Sequence, residues 1–189
     1  PMAMVRGPYR VLISDRPIER YEDIEGLKLR MYPDELAIEV WRSLGADLQM
    51  LAWTETYQAL QSGVAEAVTS PAALVEAMKF YEQAPYITRT NEFWQGLPYM
   101  MNAAAFDTLP EKDQQALLQA HAEAGDYSMK LMTENAEAMR AAVEAQGVTF
   151  TEMPLEPLFA RMADWYRERD AAGELPEGLI EAALGGSED

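Results

Sequence analysis

From Pro110 to about Gln146 the chain is dense in Ala, Glu, Gln, Met and Lys, with no further proline and with Gly125 as its lone glycine. Leu117, His121, Ala124, Tyr127, Leu131 and Met132 recur on one helical face. The stretch therefore reads as one very long helix, or two joined near Gly125. A helix of about 35 residues spans roughly 50 Å, more than the width of a small domain. It predicts a second body to pack against, and the sequence is expected to be incomplete as a single compact unit. With 189 residues the chain can bury a real core as one domain or a pair of small lobes.

The first hundred residues carry a different pattern. YRVLIS (9–14), LKLRMY (27–32), DLQML (47–51), AEAVTS (65–70) and PYITRT (85–90) read as strands, and LPYMMNAAAF (97–106) has strand character. Between them lie helical runs. Asp34 is a good N-cap for the run over 34–44, which Gly45 stops. Thr54 is placed to cap ETYQALQS before Gly63, and Pro71 suits the first turn of a helix reaching about Tyr81. Strand and helix alternating at short spacing predict an α/β layered sheet with crossover connections. Beyond the long helix, GVTFTEM (147–153) reads as a strand and PLFARMADWYRERDAAG (157–173) as a helix. The tail is expected to be partly helical and frayed at its end. No internal repeat and no low-complexity segment interrupts this order.

Charge narrows the functions open to such a chain. Fifteen basic against 32 acidic residues give a formal charge of −17. A chain that acidic repels phosphate backbones, so nucleic acid is not an expected partner, and it would also repel an anionic membrane surface. The absence of cysteine excludes disulfides, thiolate catalysis and Cys-ligated zinc. No apolar run approaches the roughly 18 residues of a spanning helix. His121, the single histidine, lies on the apolar helical face and reads as a hydrogen-bonded structural residue, which removes a Ser-His-Asp triad and a His-rich metal site. Glu19, Glu22, Asp23 and Glu25 lack the spacing of a calcium loop and read as a solvated acidic turn. No glycine-rich phosphate loop is present, so neither cofactor nor metal is expected.

One position invites chemistry. Arg30 lies near the end of the strand over 27–32, just before a helix begins. It can be a surface arginine paired with one of many carboxylates. It can equally serve a ligand, because α/β sheets bind ligands at the carboxyl ends of their strands, beside helix N-termini. There a guanidinium offers a planar two-donor fork that matches a carboxylate. Arg10 is also near a strand, with Gly7 and Pro8 shaping the approach, so the two arginines could form one local anion site. Trp53 directly follows a strand end, either as core or as an aromatic wall. Trp41 is more simply core.

Several stretches, in order, resemble the DctP-type solute-binding subunit of TRAP (tripartite ATP-independent periplasmic) transporters. They are Arg16-Pro17-Ile18 leading to Gly26 and Arg30; Glu55-Thr56-Tyr57-Gln58-Ala59-Leu60 to Gly63; Ser70-Pro71; Lys79-Phe80-Tyr81-Glu82; and Leu109-Pro110 to Gln114. The resemblance covers about residues 7–155, and the motifs are specific together rather than singly. It implies a periplasmic-binding-protein-like (class II) α/β lobe with a mixed sheet and a long lobe-spanning helix. Residues 7–95 would be the second, ligand-binding lobe. Residues 96–135 would hold a strand and the long helix returning to a first lobe whose N-terminal part is absent. Residues 136–189 would carry the end of that helix, a strand and C-terminal helices packing on the second lobe.

By the same resemblance Arg30 matches the arginine that grips the ligand carboxylate, Arg10 a second ligand-contacting arginine, and Trp53 an aromatic residue lining the cleft. Ser70 stands where the family often has a ligand-binding asparagine, and Ala65-Glu66-Ala67-Val68-Thr69 replaces the common V-D-G-x-E. Both differences bear on which acid is bound. Thr69, Tyr32 and Asn91 complete the residues assigned to the ligand. The implied function is periplasmic capture of a small organic acid for a membrane permease, with a homodimer or an N-terminal lobe completing the fold. A carboxylate sensor or scavenger of the same fold, uncoupled from transport, is the alternative. An enzyme using Glu55 for acid–base work is the third reading, and no second catalytic partner accompanies it.

Overall fold

The structure, a computed structural model, describes residues 3–6, 9–92 and 96–180. Strands β1 (Ala3–Arg6), β2 (Arg10–Ser14) and β3 (Lys28–Met31) precede helix α1 (Glu35–Ser43) and strand β4 (Asp47–Met50). Helix α2 (Thr56–Ser62), strand β5 (Ala67–Pro71), helix α3 (Val75–Met78) and strand β6 (Tyr86–Arg89) follow. Strand β7 (Gly96–Tyr99), helices α4 (Ala103–Asp107) and α5 (Glu111–Glu144), strand β8 (Thr149–Thr151) and helix α6 (Leu155–Ala171) complete the order. Gly7 and Pro8, expected to shape the approach to Arg10, and the end of the tail from residue 181 lie outside the described residues.

Six strands form one sheet in the order β4-β3-β5-β2-β6-β8. β3 runs parallel to β4 and β5, β6 runs parallel to β8, and β2 is antiparallel to both β5 and β6. Five strands thus point one way and β2 alone the other. The beginning of β2 therefore lies at the same edge as the carboxyl ends of its neighbours. That edge is where an α/β sheet leaves room for a ligand.

Alternation along the strands splits the core in two. Val11, Ile13, Val68 and Ile87 share one face with Ala59, Leu60, Phe80 and the end of α5 through Ala136, Met139 and Val143. Leu12, Leu29, Met31 and Ala67 share the other face with Trp41 and Leu44 of α1 and Leu158 of α6. The result is a mixed sheet between two helical layers, as the alternating sequence predicts. Asp34 caps α1 by accepting a hydrogen bond from the Ala37 N–H at 2.8 Å. Gly45 ends the turn after α1 at φ 86°, where a Cβ would lie 3.2 Å from the Glu25 backbone.

Three local readings need correction. The helix predicted from Pro71 to Tyr81 is instead a set of short turns: Pro71 ends β5, and Lys79 at φ 54° breaks the run after α3. The break drops Phe80 and Tyr81 into the core, where they are almost fully buried. The strand character over 97–106 holds only to Tyr99. Asn102 caps α4 through the Ala105 N–H at 3.1 Å, and three alanines, good helix formers, continue it. Thr54 does not cap α2, for which no side chain caps the N-terminus; the Glu55 carboxylate instead accepts from the Ala52 N–H at 3.0 Å.

The long helix is single. α5 runs 34 residues without interruption at Gly125. Its C-terminal part is buried on the sheet, whereas Tyr127 is 63% exposed and Leu131 38% exposed. The apolar face read from the sequence is therefore only partly covered. β1, not read as a strand from the sequence, pairs antiparallel with β7 in a separate two-stranded ribbon packed on α5. His121 sits there with its ring 4.9 Å from Tyr99, and its Nδ1 lies 2.7 Å from the Leu117 carbonyl.

Leu12 is fully buried at the centre of the sheet. Leu12→Ala should lower stability by about 2–5 kcal/mol, read as a fall in the urea midpoint at unchanged m-value. A loss below about 1 kcal/mol would contradict a close-packed second face.

Candidate ligand-binding site

The carboxyl edge of the sheet bears a cavity of about 340 Å³ lined by Arg10, Arg30, Tyr32, Trp53, Thr69, Pro71 and Leu74. Each residue arrives by a short route from a strand. Arg30 is the penultimate residue of β3 and Tyr32 follows that strand. Trp53 lies three residues after β4, Thr69 and Pro71 are among the last three residues of β5, and Arg10 opens β2. Register makes Arg10 the partner of Pro71, so Thr69, two residues back, is on the same sheet face. Arg30 pairs with Val68 and belongs to the opposite face. The two guanidiniums start from opposite sides of the sheet and meet around its end.

Their environments differ. Arg30 is 6% exposed. Its Nε donates to the Leu51 carbonyl at 3.0 Å, which fixes the plane of the fork, and its Cζ lies 5.3 Å from the Trp53 ring centroid. Trp53 is held edge-on against Phe80 at 5.1 Å. No ion pair and no further hydrogen bond engages the Arg30 Nη groups among the described residues. Burial pulls the Arg30 guanidinium below the ordinary arginine value; Tyr32 pushes back and Arg10 adds to the fall. The same burial raises the Tyr32 phenol, keeping it a neutral hydroxyl at the rim.

Arg10 is committed to the protein. Its Nε donates to Glu92 Oε1 in a buried ion pair, and its Nη2 donates to Thr69 Oγ1 at 2.9 Å. Glu92 is the residue that sequence reasoning missed. A signal was present, because Glu92 stands three residues beyond the end of β6, at the same edge that singled out Arg30. Burial pushes the Glu92 carboxyl above the usual value of 4.5, and Arg10 opposes that rise.

Five of the seven expected residues, Arg30, Arg10, Trp53, Thr69 and Tyr32, line this cavity together. Ser70 and Asn91 do not. Ser70 lies opposite Val11, fully buried, and its hydroxyl donates to the Pro71 carbonyl at 3.1 Å. Asn91, at φ 49°, accepts from Arg89 Nε at 2.8 Å. Glu55, the candidate acid–base residue, is exposed and occupied with the Ala52 N–H. In the acidic turn, Asp23 accepts from the backbone of Glu19 and Arg20, and no group of His, Asp and Glu arranged for a metal occurs among the described residues. A second cavity of about 250 Å³ lies between α1 and α6 against Val40, Trp41, Leu158 and Met162. Its lining is apolar apart from Thr90, Tyr166 and Glu92, and it includes no cation to meet a carboxylate.

Residues 4–171 match the model of the bacterial extracellular solute-binding proteins of family 7, DctP. The chain belongs to that family. A solute-binding protein of Roseobacter denitrificans is 34% identical over 148 residues, which is 78% of this chain and 45% of that protein. The ectoine-binding periplasmic protein TeaA of Halomonas elongata is 31% identical over 175 residues, 90% of this chain and 49% of its own length. A TRAP periplasmic solute-binding protein of Roseobacter denitrificans, solved with β-D-glucuronate bound, superposes with a TM-score of 0.86 at 29% identity. It covers 96% of this chain and 61% of its own. The chain thus spans about half the length of the relatives it matches. The family fold, a periplasmic-binding-protein-like α/β lobe with a mixed sheet and a long helix, is the one described above.

Because burial favours the neutral acid, Glu92 should titrate above 4.5 when followed by carboxyl carbon-13 NMR. Arg10→Met should raise that midpoint further, since the opposing guanidinium is gone. A midpoint below 4.5 would show that Arg10 outweighs burial.

Proposed function

We propose that this chain supplies the carboxylate-gripping wall of an extracytoplasmic, periplasmic solute-binding protein that captures a small organic acid and delivers it to the membrane subunits of a TRAP transporter. The observation that carries the reading is Arg30. It is a buried guanidinium, oriented by the Leu51 carbonyl and backed by Trp53, with no ion-pair partner among the described residues. A buried cation without a counter-ion is costly to the fold. A ligand carboxylate placed on the Nη pair would remove that cost through two charge-assisted hydrogen bonds. The relative solved with glucuronate, a carboxylate, and the family's description as solute-binding proteins support the same conclusion.

On this reading residues 7–95 act as the ligand-binding lobe and 96–135 carry the chain through α5 toward a first lobe. Residues 136–189 return to the second lobe. The exposed Tyr127 and Leu131 on α5, and relatives of about twice the length, support a second body facing the cleft. Binding without turnover fits a cavity whose lining, among the described residues, offers cations and hydroxyls but no free carboxylate or imidazole to act as a base. Closure around the acid would be favoured only as far as the acid binds the closed form better.

Isothermal calorimetry with D-glucuronate tests the clamp. Arg30→Lys should weaken binding by about 1–3 kcal/mol, because an ammonium point charge replaces a planar fork. Unchanged affinity would overturn the assignment of Arg30.

A further inference from the structure

We infer that Glu92 sets the charge selectivity of this site, cancelling Arg10 so that the cavity accepts a monoanionic acid and disfavours a dianion. The inference rests on the binding-site reading above and goes beyond it in naming the class of acid. Two buried arginines at one cavity would, by themselves, invite two carboxylates. Glu92 changes that sum. Its side chain is 10% exposed and forms an ion pair with an Arg10 side chain that is 6% exposed. Glu92 is not part of the cavity lining, so it acts through Arg10 and not by contact with the ligand.

Among the described residues, the charged groups that bear on the cavity through Arg30 and Tyr32 are Arg10, Glu92 and Asp34. Asp34 is exposed, occupied with the Ala37 N–H and screened by solvent. With Glu92 ionised, a state that burial opposes, that the Arg10 guanidinium favours and that the pH 8 of the test is chosen to secure, Arg10 and Glu92 sum to zero and Arg30 leaves one positive charge. One ligand carboxylate balances it. A second would be desolvated with no uncommitted cation among the described residues to meet it, a costly burial. The remaining lining is neutral. Thr69 and Tyr32 offer hydroxyls, Tyr32 being kept un-ionised by burial, and Trp53, Pro71 and Leu74 offer apolar faces. This suits a hydroxylated monocarboxylate whose polar groups are uncharged.

Glu92 is placed for this task by topology. β6 lies beside β2 in the sheet, so the short segment that follows the end of β6 and carries Glu92 runs past the residue that begins β2, with the Thr90 N–H donating to the Arg10 carbonyl at 3.3 Å. Thr69, on β5, gives Arg10 an uncharged acceptor at 2.9 Å, and Glu92 is the carboxylate paired with it among the described residues.

The test compares two acids with the same six-carbon skeleton, D-glucuronate with one carboxylate and D-glucarate with two, by calorimetry at pH 8. The unaltered chain should bind glucuronate at least tenfold more tightly than glucarate. Glu92→Gln, which frees the Arg10 charge, should shift that ratio at least tenfold toward glucarate. The double variant Arg10→Gln with Glu92→Gln removes both charges together and should restore the original preference, an outcome that a merely structural role for Glu92 would not give. Equal binding of the two acids by the unaltered chain would overturn the inference. So would a ratio that Glu92→Gln leaves unmoved while both acids still bind, with the Arg30 assignment left standing. Binding of neither acid would overturn both readings.

Discussion

Everything in the proposed site depends on an unequal division of counter-charge between two buried guanidiniums. Arg10 has its carboxylate in Glu92; Arg30 has a backbone carbonyl and an aromatic face, and no acid among the described residues. Burial weakens solvent screening, so the difference between a paired and an unpaired cation is worth far more here than at the surface. In a chain of charge −17 an unpaired buried arginine is not explained by a shortage of acids. It is explained by a position that the chain's acids do not occupy, and an incoming carboxylate can.

The sheet produces that position with one reversed strand. With five strands parallel and β2 antiparallel, the start of β2 joins the ends of β3, β5 and β6 at a single edge. Side-chain alternation then sends Arg10 and Arg30 to opposite faces, and only at the end of the sheet can both reach one cavity. The two core layers beneath, one built on Val11, Val68 and Phe80 and the other on Leu12, Met31 and Trp41, hold the strands in register. The arginines inherit their spacing from that packing. Rigid elements of this kind make a better clamp than loops, because little ordering is left to be done when the ligand arrives.

Local signals carried much of this into the sequence. Gly26 before β3 and Pro33-Asp34 after it bracket the strand, so the strand-end place of Arg30 could be read without coordinates. The same held for Trp53 behind β4. The pairing of Arg10 with Glu92 could not be read, because it spans 82 residues and depends on strand order, which alternation along a single strand does not encode. Lys79 in the left-handed region was equally hidden: no glycine marks it, and burial of Phe80 and Tyr81 imposes it. In the long helix periodicity gave an apolar face but not what covers it. Tyr127 and Leu131 remain exposed although they share the stripe.

The claim that a ligand carboxylate completes the fork of Arg30 can be measured on the guanidinium itself. Proton–nitrogen spectra of arginine-labelled protein would be recorded while D-glucuronate is titrated to millimolar concentration. Bidentate capture should move the Arg30 Nη–H resonances downfield and slow the rotation of that group, leaving Arg10 Nε–H on Glu92 nearly where it began. Saturable binding of the acid that leaves the Arg30 resonances unmoved would contradict it.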